Sequence, residues 1–236
     1  MLITILGNNY DIKIHELYLS YKKLESIPPE IGNLVNLQIL SLYNNKIKSI
    51  PPEIGNLINL QTLNLSCNKI ESIPPEFGNL VNLQKLWLPY NKLESIPSEI
   101  GNLVNLKYIN LSNNKLESIS SEIGNLINLQ YLSLNNNKLV NIPPEIGNLV
   151  NLQYLGLNNN RLKKLPYEIL KIKEKIFINE TSYDINNLSI ENEILLFREL
   201  KNKLINLPIN TKEIWLSKTI TIYDIKLPFN CIIRQY

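Results

Sequence analysis

Apolar residues recur along this chain with a fixed period of 23 residues. In the unit that begins at Leu60, apolar side chains fall at positions 1, 4, 6, 11, 14, 18 and 21, the last being Leu80. The seven units of this spacing begin at Ile14, Leu37, Leu60, Leu83, Leu106, Leu129 and Leu152. One unit of this size cannot bury seven apolar side chains alone. The units are therefore predicted to stack and share one continuous core.

Within each unit, apolar positions 4 and 6 alternate with variable positions 3 and 5, as in Tyr131-Leu132-Ser133-Leu134. A period of two predicts a strand with one buried face, and the strands of successive units then lie side by side and parallel. Position 9 is Asn in six units, at Asn45, Asn68, Asn91, Asn114, Asn137 and Asn160. Because an Asn side chain both donates and accepts, this column is predicted to satisfy backbone groups where the chain leaves the sheet.

Each unit then continues with IPPEIGNL or a close variant. The prolines predict an extended entry without ladder hydrogen bonds, and the Glu begins a short turn or helix, whose positive end favours a carboxylate. A Gly at position 19 of six units indicates a place where a side chain would clash or where φ is unusual. We therefore interpret the repeated phrase as the outer return path of the fold and not as a repeated active site.

The resulting pattern, LxxLxLxxNxLxxIPPEIGNLxN, resembles the leucine-rich repeat from Ile14 to about Leu170. Its IPPEIGNL segment is similar to the 23-residue intracellular type found in Ras-associated scaffold proteins and plant Ras-group relatives. The resemblance implies an α/β leucine-rich repeat solenoid that is curved, with parallel strands on its concave face and short helices, turns and extended segments on its convex face. In such proteins the concave face usually holds a partner protein.

Departures from the pattern indicate the ends of the array. The first unit has Lys22 in place of the Asn, and the seventh changes after Pro166, as terminal units with only one neighbour require. We predict an N-terminal capping strand or hairpin over residues 1–13, seven repeats over 14–170 and a C-terminal cap over 171–236.

The predicted C-terminal cap contains several elements. Lys175-Ile176-Phe177-Ile178 predicts a degenerate eighth strand, and Ser189 precedes a predicted helix with apolar residues between Ile194 and Leu204. Short strands are predicted around Ile214-Trp215-Leu216 and Ile232-Ile233.

Composition and motif content argue against several functions. The net charge is only +3 with mixed signs, which gives no electrostatic case for nucleic acid or an anionic membrane. A single histidine, His15, leaves Ser-His-Asp, Cys-His and multi-His metal sites short of parts. The isolated glycines form no nucleotide-binding loop. We therefore expect a protein that is not an enzyme and that needs no cofactor or metal.

Cysteine use and the N-terminal sequence predict a cytoplasmic location. Cys67 and Cys231 lie far apart and form neither a CxxC pair nor a disulfide framework. The N-terminus has no basic region before its short apolar run, and no apolar run approaches the roughly 18 residues of a membrane span. Reduced thiols and no membrane contact are the expectation.

The outward-facing positions 3, 5, 7 and 8 vary between units, so they are where partner-specific contacts are expected. Position 3 is Tyr in the last three units, and Trp87 and Tyr90 lie in the unit before them. Aromatic rings beside small polar residues are typical of protein interfaces, because each ring buries much area at low entropy cost. The alternative is that duplication copied the tyrosines and that they merely stack on one another. The candidate partner-binding residues are Tyr43, Lys85, Trp87, Tyr90, Tyr108, Asn110, Tyr131 and Tyr154.

The sequence thus predicts a non-enzymatic interaction module that binds a partner protein, or a second copy of itself, through an aromatic-rich concave face. The family resemblance implies one alternative, a regulatory subunit or adaptor for a small GTPase or phosphatase. Recognition of a glycan or lipid is a weaker alternative, because the chain lacks the signal peptide and cysteine caps of extracellular repeat proteins.

Overall fold

The computed structural model of the protein describes residues 2–162, 164–166, 168–169, 175–177, 189–190, 213–216 and 232–235. Eight parallel strands form its main sheet. They are β3 Glu16–Tyr18, β4 Ile39–Ser41, β5 Thr62–Asn64, β6 Lys85–Trp87, β7 Tyr108–Asn110, β8 Tyr131–Ser133, β9 Tyr154–Gly156 and β11 Lys175–Phe177, in that order.

Adjacent strands from β3 to β9 are in register with an offset of one 23-residue unit, as in the pairing of Leu63 with Leu86. Each position of a repeat therefore lies beside the same position of the next repeat. The middle residue of each of these strands is buried, while position 3 faces outward and is at least partly exposed in every repeat. The predicted alternation and parallel pairing are confirmed.

The IPPEIGNL segments form a stack of six 3-10 helices on the side of the core opposite the sheet. They are η1 Pro29–Asn33, η2 Pro52–Asn56, η3 Pro75–Asn79, η4 Ser98–Asn102, η5 Ser121–Asn125 and η6 Pro144–Asn148. Each follows an extended residue, such as Pro51 with φ −72° and ψ 149°, and carries its Glu in the first turn. The core between sheet and helices consists of Leu, Ile and Phe77.

The position-9 asparagines hold adjacent repeats together, as predicted. Asn114 Nδ2 donates to the Leu88 and Leu111 carbonyls, both at 3.0 Å. Its Oδ1 accepts the Leu93 N–H at 3.0 Å. The same arrangement recurs from Asn45 to Asn160, and all six side chains are buried. Each Asn thus satisfies backbone groups of its own repeat and of the preceding one.

The position-19 glycines are required by close packing between neighbouring repeats. A Cβ on Gly101 would lie 2.6 Å from the carbonyl oxygen and 2.8 Å from the Cβ of Glu122. Of the two explanations considered from the sequence, the clash is the correct one, because Gly7 is the sole described glycine with a positive φ.

Short pairings flank the repeats. Two strands, β1 Leu2–Ile5 and β2 Asn8–Asp11, form an antiparallel hairpin that packs on η1 and buries Ile5. Strand β11 occupies the predicted eighth-strand position, with Lys175 opposite Tyr154.

Four further strands pair in parallel beyond the seventh repeat's main strand. Strand β10 Lys164–Leu165 pairs with β12 Ser189–Ile190, and β13 Glu213–Leu216 pairs with β14 Ile232–Gln235. The helix predicted between Ile194 and Leu204 lies outside the described residues, and the predicted domain limits stay predictions.

Candidate protein-binding face

The outward face of the sheet is almost free of charge. Positions 3, 5, 7 and 8 of the seven repeats include only two charged residues, Glu16 and Lys85. Glu16 lies at the N-terminal edge, where it accepts a 2.8 Å hydrogen bond from the Tyr18 hydroxyl. Interface cores are depleted in charge, whereas surfaces that bind nucleic acid are rich in Lys and Arg. The composition of this face therefore suits a protein partner.

Four aromatic side chains, Trp87, Tyr108, Tyr131 and Tyr154, form a continuous row that we call the aromatic column. The Trp87 and Tyr108 rings are 5.3 Å apart and tilted by 45°. The Tyr108 and Tyr131 rings stack at 4.3 Å, and the Tyr131 and Tyr154 rings stack at 4.4 Å, each pair within 7° of parallel. All four side chains are partly exposed.

The rings fit because the residue two places along each strand is small. The Tyr154 hydroxyl lies 3.3 Å from Asn135 Nδ2, and a Cβ on Gly156 would come within 2.9 Å of that hydroxyl. Ser133, in the same position after Tyr131, is only 1% exposed. The Tyr154 ring therefore extends along its own strand and covers position 5.

Stacking determines which part of each ring a partner meets. The inner rings present their flat sides to one another, so their edges face the space above the sheet. Burial, followed by the neighbouring Tyr154 and Tyr108, raises the pKa of Tyr131 well above its ordinary value of 10.0. The Tyr131 ring therefore stays uncharged at neutral pH and offers an apolar edge to a partner.

Position 8 of every repeat has a left-handed backbone, with φ between 54° and 60°. Four repeats place Asn there, a residue that tolerates this region, while Tyr21, Cys67 and Tyr90 occupy the other three. The backbone cannot relax easily, because the Tyr90 N–H donates to the Ser112 carbonyl at 3.0 Å. A bulky residue in this region is strained by roughly 1–2 kcal/mol.

Tyr90 extends the aromatic surface of the fourth repeat, which also holds Trp87. Its side chain is 60% exposed. Sequence reasoning selected Tyr90 as an aromatic residue but did not detect its strain. The sequence does contain a sign of the left-handed backbone, because Asn, which tolerates that conformation, fills position 8 in four of seven repeats.

The remaining predicted residues lie apart or in supporting places. Tyr43 belongs to a second cluster, with its ring 5.2 Å from that of Tyr21 in an edge-on arrangement. The hydrogen bond with Tyr21, followed by the electrostatic interaction with Cys67, raises the pKa of Tyr43 to about 12. Lys85 is exposed and pairs in register with Tyr108.

Asn110 is half-buried beside Trp87 in the sheet. Its Oδ1 accepts hydrogen bonds from the N–H, at 3.0 Å, and the hydroxyl of Ser112. Asn110 therefore orients its own strand end as well as facing outward.

Comparison with known families agrees with this architecture. Residues 14–120 match a family model described as a leucine-rich repeat region, and residues 105–162 match one described as a leucine rich repeat. Leucine-rich repeats therefore span residues 14–162 of this chain. Among curated proteins, no relative matches it.

Two solved structures resemble this leucine-rich repeat protein. One is the Leptospira interrogans LRR protein LIC12759, with 30% identity and a TM-score of 0.57, over 92% of this chain and 62% of that chain. The other is the plant peptide hormone receptor RGFR1 in complex with RGF2, with 29% identity and a TM-score of 0.52, over 65% of this chain and 33% of that chain. The repeat protein thus spans less than two thirds of the length of each.

Other kinds of site find no support in the described part of this leucine-rich repeat protein. Those residues contain no group of three His, Cys, Asp or Glu side chains that could hold a metal ion. Nor do they include a helix long and apolar enough to cross a bilayer.

Proposed function

We propose that this leucine-rich repeat protein is a binding module that holds a partner protein against Tyr90 and the aromatic column on its concave face. Leucine-rich repeat domains generally mediate protein–protein interaction and are typically non-enzymatic. One similar structure, the receptor RGFR1, is in complex with RGF2, which supports a peptide or protein as the partner here. The cytoplasmic location stays a prediction.

The strained backbone of Tyr90 is the observation that carries this proposal. Duplication of a repeat would copy the Asn that the left-handed position favours, so simple copying does not account for a bulky ring there. Tyr90 lies in the repeat where the aromatic column begins and is largely exposed. A ring kept at some energetic cost, on a nearly uncharged face, is what a binding surface requires.

The test compares the native chain with a variant that carries Tyr108→Ala, Tyr131→Ala and Tyr154→Ala. Each protein is immobilised and exposed to lysate of the source cells, and captured proteins are quantified by mass spectrometry. We expect at least one protein that the native chain enriches and the variant does not. Far-UV circular dichroism verifies that the variant retains its fold.

A matched control removes three exposed side chains from another surface, with Lys46→Ala, Lys69→Ala and Lys115→Ala. This control should capture the same proteins as the native chain. Equal capture by a folded column variant would rule out the aromatic column as the binding surface. Loss of capture by the lysine control would instead place the partner contact on the surface that carries these lysines.

A further inference from the structure

A second regular surface lies on the flank of the solenoid that precedes the strands. Position 22 of each of the first six repeats is Val or Ile. These residues, which we call the aliphatic row, are exposed by about half: Val35 44%, Ile58 51%, Val81 44%, Val104 45%, Ile127 53% and Val150 54%. Because adjacent repeats stack in register, six partly exposed aliphatic side chains form one continuous apolar strip. Strips of this kind on soluble proteins mark interaction surfaces.

The backbone beneath the aliphatic row is fixed. The Ile58 N–H donates to the Asn56 carbonyl at 2.9 Å, closing a tight turn after η2. The Ile58 carbonyl in turn accepts a hydrogen bond from Asn82 Nδ2 of the next repeat, at 2.8 Å. Corresponding bonds from Asn59, Asn105, Asn128 and Asn151 measure 2.8 or 2.9 Å. The row is therefore a preformed array, and little order has to be gained on binding.

The rows beside the aliphatic row are uncharged. Positions 20 and 23 are Asn in all six of these repeats. On the opposite flank, which follows the strands, position 10 is Lys or Arg in all seven repeats, and the ion pair of Lys92 with Glu71, at 3.5 Å, is the one pair within 4 Å in the described part of the chain. Position 12 of that flank is Glu in four repeats, so the flank carries charges of both signs. Covering uncharged rows costs less desolvation than covering charged ones, which favours the aliphatic row for self-association.

We propose that the aliphatic row is the surface through which two copies of this chain associate. A row of side chains with a constant spacing packs best against a row with the same spacing, and a second copy supplies one. A twofold axis would bring the same patch together from both copies and close the assembly as a dimer.

The size of the surface is sufficient for such a dimer. The half-exposed aliphatic side chains offer on the order of 400 Å² of apolar area, and the flanking Asn rows about as much again. Together this approaches the roughly 800 Å² per partner of a standard protein interface. The concave face stays accessible in this dimer, so this inference does not depend on the proposed function.

The test measures molecular mass by sedimentation velocity and light scattering from low to high micromolar concentration. The native chain should reach the mass of a dimer. The variant Val81→Lys with Val104→Lys places two charges near the middle of the row and should raise the dissociation constant at least tenfold. The control Ser95→Lys with Ser118→Lys adds the same charge at exposed positions of the other flank and should dimerise like the native chain.

A milder variant, Val81→Ser with Val104→Ser, covers the case in which the lysines disturb folding, and should also weaken the dimer. A native chain that stays monomeric at high micromolar concentration would overturn the proposal. So would a dimer that survives both row variants, or one that dissociates when Tyr108, Tyr131 and Tyr154 become Ala, since the concave face would then form it. A monomer whose aliphatic row instead binds neutral phosphatidylcholine vesicles would likewise refute it, in favour of a lipid surface.

Discussion

Replacing Tyr90 by Asn is expected to stabilise the protein and at the same time weaken capture of its partner. The left-handed backbone at Tyr90, with φ 56°, costs a bulky residue roughly 1–2 kcal/mol, and Asn relieves part of that cost. Little burial is lost, because the Tyr90 side chain is 60% exposed. A net gain of about 0.7 kcal/mol corresponds to a melting temperature about 2 °C higher in a protein of this size.

Two matched variants separate backbone strain from the loss of a ring. Asn113→Tyr introduces the same ring at the same left-handed position of the next repeat, with φ 56°, and should lower the melting temperature by about 2–4 °C. Cys67→Asn changes the preceding repeat, also with φ 56°, and should raise stability without affecting partner capture. Calorimetry measures stability, and the lysate capture assay measures binding.

The outcomes for Tyr90→Asn distinguish the two parts of the reasoning. A lower melting temperature would mean that contacts of the ring outweigh the strain, and the strain would then be no sign of function. A higher melting temperature with undiminished capture would leave the strain argument intact and remove Tyr90 from the binding surface.

Three further variants test the scaffold and the column. In Asn114→Asp the side chain can no longer donate hydrogen bonds to the Leu88 and Leu111 carbonyls. Each unsatisfied buried carbonyl costs ~1–3 kcal/mol, so the melting temperature should fall by on the order of 10 °C. The control Asn113→Asp should leave the melting temperature nearly unchanged. Gly101→Ala places a methyl group against the Glu122 backbone, so calorimetry should show a loss of about 2 kcal/mol. The pKa of Tyr131 is higher in the folded than in the unfolded protein, so the stability that its protonated form contributes is complete below pH ~10 and is lost as pH rises further. Tyr131→Phe should therefore reduce the loss of stability at alkaline pH. An ultraviolet titration of this variant should show one high-pKa tyrosine fewer.

The repeat architecture could be predicted because one spacing determines burial, strand direction and stacking together. Leu63 and Leu86 occupy the same repeat position, and the structure pairs them directly. The role of Asn114 followed from the chemistry of its side chain, which can donate and accept where a strand ends. The hydrogen bonds of the exposed position-23 asparagines, such as Asn82, were not predicted, since period alone cannot show which Asn reaches the neighbouring repeat.

The candidate site was predicted less completely, because it depends on side-chain direction and backbone conformation. The aromatic residues were found from their spacing, but the way Tyr154 extends over Gly156 requires the ring orientation. The small residues two places after Tyr131 and Tyr154, Ser133 and Gly156, were the sign in the sequence that a ring could lie over them. Tyr43 was predicted as a further partner-binding residue, and the sequence did not show that its ring packs against Tyr21. The half-exposed Val and Ile row was missed, since an aliphatic residue in a leucine-rich pattern is easily assigned to the core.

Regular repeats make departures from the pattern unusually informative. At position 9 the fold needs Asn for two donors and one acceptor, and every repeat from the second to the seventh provides it. At position 8 the backbone also favours Asn, yet three repeats have another residue there, namely Tyr21, Cys67 and Tyr90. Position 9 is buried and hydrogen-bonded through its side chain, whereas position 8 is at least partly exposed, so the fold tolerates more variation at position 8. Among these three residues, Tyr90 is the one in the repeat where the aromatic column begins, and its side chain is 60% exposed. Strain at Tyr90 therefore fits the proposed binding surface in a way that strain at Tyr21 or Cys67 does not.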